Sequence, residues 1–190
     1  TLAEQVKDLR ALIATLEEDS KRPVSAGSAR TITTQIASAG AARNTPLENL
    51  RGLLTLPANG ELASRFGSSD GTGGQLAGIH LKTKPGAQVT SPCDGKIMYS
   101  GTFRGYGKML IIAANGGYHV LLAGLSKVDG AVGQVVLAGE PVGRMGAGSQ
   151  LREGRLQGTV GEKLYIEFRR NNVPVDPAPW FAALKERVSG

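Results

Sequence analysis

Residues 163–169 read KLYIEFR. Their alternation puts Lys163, Tyr165, Glu167 and Arg169 on one face of a strand, with Leu164, Ile166 and Phe168 on the other. The apolar face is ordinary core. The opposite face lines up a cation, a phenol, a carboxylate and a second cation, so it is either a solvated sheet surface or the floor of a site. Other residues able to do chemistry are sparse. The chain has 2 histidines and 1 cysteine. A metal needs several nitrogen, oxygen or sulfur donors converging on one point, and nothing gives His80 and His119 ligand spacing. His119, beside Tyr118, reads as a strand residue with ordinary hydrogen bonds. Cys93, in SPCDGKI, has no histidine or cysteine near it in sequence and reads as a small buried residue, with no internal disulfide open to it.

Those residues must be held by something, and composition bounds what. The 190 residues suffice for one well-buried domain plus an appendage. No apolar run approaches the roughly 18 residues of a membrane span, and no signal peptide is visible at the start. The net charge of +6 suits an acidic partner, a polyanion or plain solubility. Nucleic acid is disfavoured. Aromatic residues make up 5% and do not interleave with the basic ones as a stacking platform requires.

Leu2, Val6, Leu9, Ile13 and Leu16 recur at heptad spacing, as at the end of a longer coiled coil over residues 1–22. The alternative is a lone amphipathic helix packed on the domain. Pro23 ends it. Residues 23–55 read as a linker: a Ser/Ala/Gly-rich stretch with a weak helix around 30–42, then a short helix over 45–54. There Thr45 and Glu48 have capping-box spacing and Pro46 suits the first helical position. From residue 56 to 190 short β-rich runs alternate with Gly, Pro and Asp: GELASRFG, GIHLKTKPG, QVTSPCDG, KIMYSG, KMLIIAANGG, YHVLLAGL, GQVVLAGE, PVGRMG, KLYIEFRR and VPVDP. This spacing predicts a mainly β domain, a sandwich or barrel. Residues 147–162 read as a mobile loop. The tail DPAPWFAALKERV reads as a closing helix with Trp180, Phe181 and Leu184 inward.

In this order the runs resemble the lysostaphin-type (LytM) metallopeptidase domain. The likeness covers about residues 56–182. It rests on the RFG turn at Arg65–Gly67, GIHLKTKPGAQVTSPCDGKIMYSG at 78–101, Gly105–Gly107, VGQVVLAGEPVGRMG at 132–146 and LYIEFRRNNVPVDPAPWF at 164–181. The resemblance implies a zinc site built from His-x-x-x-Asp and the second His of a later His-x-His. Two further catalytic histidines belong to it, one in Tyr-x-His-Leu and one opening the His-x-His. Carried over residue by residue, every one of these positions has changed. Leu76 replaces the ligand His and His80 the Asp. Gly124 stands for the histidine of Tyr-x-His-Leu, while Lys163 and Tyr165 replace the paired histidines. Leucine and glycine have no ligating side chain, and lysine is an ammonium at neutral pH.

The kept scaffold and lost catalytic set resemble the non-catalytic branch of that family, above all the EnvC-type murein hydrolase activators. ENLRGLLTLPANGELASRFG and the closing LYIEFRRNNVPVDPAPWF carry this likeness. It implies a periplasmic protein without zinc or other cofactor. It also implies a peptidoglycan N-acetylmuramyl-L-alanine amidase as partner in cell division, and control through the upstream coiled coil by an ABC-transporter-type membrane division complex. The expected partner groove uses Tyr106, Tyr165 and Arg169 first, then Lys163, His80 and Leu122. Plainer roles are a surface ion pair for Arg169 and a core-capping turn residue for Tyr106. Either the 30–42 or the 45–54 helix is expected to lie over the groove. The competing functions are a peptidoglycan-binding or scaffold module with no amidase partner and, behind it, a zinc endopeptidase.

Overall fold

Each of the β-rich runs becomes a strand. In the computed structural model, residues 8, 10–16, 18, 45–71, 73–146 and 163–185 are described. The strands are β1 (Gly60–Ser64), β2 (Ile79–Thr83), β3 (Gln88–Thr90), β4 (Gly95–Phe103), β5 (Gly107–Ala114), β6 (Tyr118–Leu125), β7 (Lys127–Val128), β8 (Val135–Val136), β9 (Pro141–Arg144), β10 (Lys163–Arg170) and β11 (Val173–Val175). Strand β7 is an addition that the sequence reading did not contain. The large sheet runs β1-β2-β10-β6-β5-β4-β8, with β11 on β10, and the small one runs β3-β9-β7. Every strand pairing is antiparallel. Both sheets are open, so the fold is the sandwich form of the expected mainly β domain.

One face of the large sheet makes the main core. Ile79, Leu81, Ile97, Leu110, Ile112, Val120, Leu122, Leu164, Ile166 and Phe168 join Val89 and Val142 of the small sheet. The expected inward residues of the tail, Trp180, Phe181 and Leu184, are buried there. The tail itself is a 3-10 turn at Ala178–Trp180 followed by helix α2, Ala182–Lys185.

The expected helix over 45–54 is only a 3-10 turn, Leu47–Leu50, entered through Pro46 with no side-chain cap. The capping box is unused because the rest of the fold claims this backbone. Leu47 N–H donates to the Asn115 carbonyl, and Leu54 N–H to that of Trp180. Gly52, at φ 75, turns the chain away. Leu47 and Leu54 are packed into the main core.

The other face of the large sheet is also covered. Residues 10–16 are helical; this is helix α1. Ile13 is fully buried in a second cluster with Met98, Met109, Ile111, Leu121, Ala123 and Tyr165, against which Leu12 and Leu16 also pack. Among the described residues the heptad stripe therefore meets the sheet, as in the lone-helix alternative. Residues 23–44 and 147–162, expected as linker and loop, lie outside the described residues.

Trp180 ties the tail to the core. Its Nε1–H donates to the Leu47 carbonyl at 2.8 Å. Its ring meets Tyr118 and Phe168 at 5.8 and 5.6 Å, and Arg51 sits 4.3 Å over it. Trp180→Ala is expected to cost about 3–5 kcal/mol of stability, measured by urea unfolding followed by circular dichroism. Trp180→Phe keeps the ring contacts and should lose clearly less.

Candidate functional site

The row on β10 faces the second cluster, not the main core. Tyr165 lies opposite His80 on β2 and Ala123 on β6, Glu167 opposite Leu121, and Arg169 opposite His119. At one end of the row the sheet opens into a cleft of about 270 Å3. Its walls are Gln75, Leu76, Ala77, His80, Gly105, Tyr106, Ala123, Gly124, Lys163 and Tyr165. At the other end helix α1 closes over the row.

Local backbone explains how these side chains reach the cleft. The turn at Gly67, φ 73, returns the chain so that Gly67 N–H donates to the Leu76 carbonyl and Leu76 N–H to that of Ser68. Those two hydrogen bonds seat Leu76 at the rim. Tyr106 stands on a tight turn between Gly105 and Gly107, both in the left-handed region. Its carbonyl accepts from Gly124 N–H at 3.1 Å. The His80 and Tyr165 rings lie 5.0 Å apart, and those of Tyr106 and Tyr165 5.6 Å. The wall is thus a continuous set of ring contacts.

The buried end is held by charge. Tyr165 Oη donates to Glu167 Oε2 at 2.7 Å, and Arg169 Nε donates to Glu167 Oε1 at 2.5 Å. Glu167 and Arg169 are both 0% exposed. Arg169 Nη1 donates to Asn172 Oδ1, and Asn172 Nδ2 donates to the Arg10 carbonyl on helix α1. Burial raises the Glu167 pKa, against the pull of the Arg169 guanidinium and the Tyr165 hydroxyl. Burial also raises Tyr165, helped by the Glu167 carboxylate, and pushes Tyr106 up to about 12. Both phenols are neutral donors at any physiological pH. Burial and then the nearby Lys163 ammonium lower the His80 pKa, so its imidazole is neutral.

The structure brings Leu76, His80, Gly124, Lys163, Tyr165 and Tyr106 into the one cleft. Two expected groove contacts are elsewhere. Leu122 points to the opposite face and is buried in the main core, because it alternates with Leu121 and Ala123. Arg169 forms neither a groove wall nor a surface ion pair, since helix α1 covers it and its pair with Glu167 is internal. The 45–54 segment does not lie over the groove, because it packs on the other side of the sheet. The 30–42 segment lies outside the described residues. Glu167 was placed on the row but given no site role, and the amphipathic helix was not placed over the row that α1 covers. The signal was present in β5 and β6, which are near-continuous apolar runs, the mark of strands buried on both faces. Cys93 is buried as expected, and desolvation pushes its thiol up to about 12. It borders a separate cavity of about 420 Å3 beside Leu47 and Leu54.

A zinc ion does not fit this donor set. Leu76 offers no ligand atom. Gly124 sits at φ 86, and a Cβ there would stand 2.6 Å from the Lys163 carbonyl oxygen, so this backbone carries no imidazole. Lys163 is a cation, and the Tyr165 hydroxyl is committed to Glu167. His80 alone remains, and among the described residues no three His, Cys, Asp or Glu gather. What the cleft offers is aromatic and aliphatic surface with a cation at its edge.

Because the native His80 resists protonation, the unfolded chain binds the extra proton as pH falls through about 6.5. Stability is therefore expected to fall on acidification from pH 7.5 to 5.5. His80→Gln should flatten that slope in urea titrations run across the range.

Residues 74–177 match Peptidase family M23. The lipoprotein NlpD/LppB homolog of Pseudomonas aeruginosa is 33% identical over 122 residues, covering 64% of this chain and 37% of that protein. The murein hydrolase activator NlpD of Escherichia coli is 29% identical over 122 residues, covering 64% of this chain and 29% of that protein. The crystal structure of a zinc-containing peptidase from Vibrio cholerae matches with a TM-score of 0.52 at 29% identity, covering 64% of this chain and 37% of that one. This chain thus spans only 29% to 37% of the length of these relatives. With more than half of its residues inside the family match, the chain belongs to peptidase family M23.

Proposed function

We propose that this chain is a non-catalytic, periplasmic activator of peptidoglycan N-acetylmuramyl-L-alanine amidases in cell division. It grips a segment of the amidase in the cleft. The observation that carries the reading is a cleft that persists while its donor positions hold Leu76, Gly124, Lys163 and Tyr165. The activator names of its relatives support it. Withdrawing an inhibitory segment from the amidase opens the amidase active site, a shift between two populations. Tyr106 is the natural anchor, since aromatic side chains in partly desolvated pockets dominate interface energies. A membrane division complex of ABC-transporter type acts through the segment that holds helix α1.

Dye release from labelled peptidoglycan tests this with the protein alone, an amidase of the same organism alone, and both together. Release is expected to rise only in the mixture. Tyr106→Ala, which leaves the Glu167–Arg169 pair intact, should weaken stimulation by about tenfold or more. Zinc-dependent release by this protein alone would overturn the reading. Sacculus binding with no effect on any amidase would favour a scaffold module instead.

Helix α1 supplies control. It packs on the cluster that holds Tyr165 and caps the buried pair, so a partner running the length of the row must displace it. Deleting residues 1–44 is expected to raise amidase affinity, measured by calorimetry. Unchanged affinity would remove α1 from the mechanism.

A further inference from the structure

Lys163 has a neighbour that the cleft lining does not include. In the register of β2 and β10, Lys82 is the direct partner of Lys163. Both alternate onto the row's face, beside His80, and both are exposed. Directly opposed like charges destabilise an antiparallel pair. No hydrogen bond or ion pair offsets this one among the described residues. Glu61 on β1 is the cross-strand partner of Lys82, yet it makes no ion pair with it. His80, neutral through burial and Lys163, adds no negative charge. Lys163 on the cleft wall and Lys82 beside it on β2 therefore put two lysines next to each other on one face at the edge of the cleft.

We infer that Lys82 and Lys163 form a dicationic clamp for an acidic side chain on the amidase segment that enters the cleft. This rests on the reading of the cleft as an amidase-binding surface, and it specifies the chemistry of the occupant. An amphipathic segment lays its apolar residues on Leu76, Ala77, Tyr106 and Tyr165. A carboxylate at its edge relieves the lysine repulsion on docking. The repulsion is then a specificity device: it is lifted only by a partner with negative charge in register. Peptidoglycan stem peptides also carry carboxylates. The apolar walls offer their polar backbone few hydrogen-bond partners, which favours the protein segment.

Affinity for an amidase of the same organism, measured by calorimetry across a salt series, tests the clamp. The Lys82→Glu/Lys163→Glu double variant should lose about tenfold or more at low salt, with the gap narrowing as salt rises. Arg144→Glu, on β9 of the small sheet, should stay within about twofold. Lys82→Gln/Lys163→Gln should weaken binding as well, while its melting temperature holds or rises, because removing the repulsion does not harm the fold. Unchanged amidase affinity in both double variants, with the wild type binding, overturns the clamp alone. A loss seen only in sedimentation with purified sacculi also overturns it, and would reassign the lysines to peptidoglycan. If the wild type binds no amidase, the functional reading falls and the clamp with it.

Discussion

Strand β10 is the constraint on which the rest of the molecule depends. It lies in the interior of the large sheet, between β2 and β6, and both of its faces are buried. Its apolar face is an easy case, since Leu164, Ile166 and Phe168 need only packing. Its polar face is the hard one. A carboxylate and a guanidinium out of water are tolerable only when paired and hydrogen-bonded. Glu167 meets that condition with one bond from Tyr165 and one from Arg169. Arg169 then needs Asn172, and Asn172 reaches the backbone of helix α1. A demand set by one buried charge thus fixes the tyrosine wall of the cleft and the seat of the helix together.

Much of this was legible in the residues, for a definable reason. The strands follow from short β-rich runs bounded by turn residues, and every predicted run became a strand. The placement of Leu76, His80, Gly124, Lys163, Tyr165 and Tyr106 in one cleft followed from the family register. Leu122 failed because position in a motif does not say which face of the sheet a residue takes; alternation with Leu121 and Ala123 does. Arg169 failed because exposure depends on what packs above, here a helix distant in sequence. The 45–54 helix failed because tertiary hydrogen bonds to Asn115 and Trp180 outcompeted a local cap.

The residues that line the cleft are coherent as packing. Gly124 allows the β6 backbone to come against the Lys163 carbonyl and to bond Tyr106. Tyr165 sends its hydroxyl to Glu167, while its ring joins His80 and Tyr106. Leu76 adds aliphatic surface at the rim. Among the described residues, no buried polar side-chain atom of the cleft lining is left without a partner, a defect that costs stability wherever it occurs. A cleft whose central phenol is already bonded from within can take an apolar partner. Its remaining specificity has to come from charge at the edge.

In the control proposed above, helix α1 both covers this surface and yields it to a partner. A surface helix draws most of its stability from tertiary packing of its apolar face. Helix α1 forms because Ile13, Leu12 and Leu16 bury themselves against the sheet. A competing amphipathic segment offers the sheet the same kind of burial, so exchange costs the domain little beyond the Asn172 bond and the Arg10 charge near Glu167. The polar ladder beneath stays intact throughout, because Tyr165, Glu167 and Arg169 bond to one another on a single strand. The permanent interaction lies within β10, and the replaceable one lies above it.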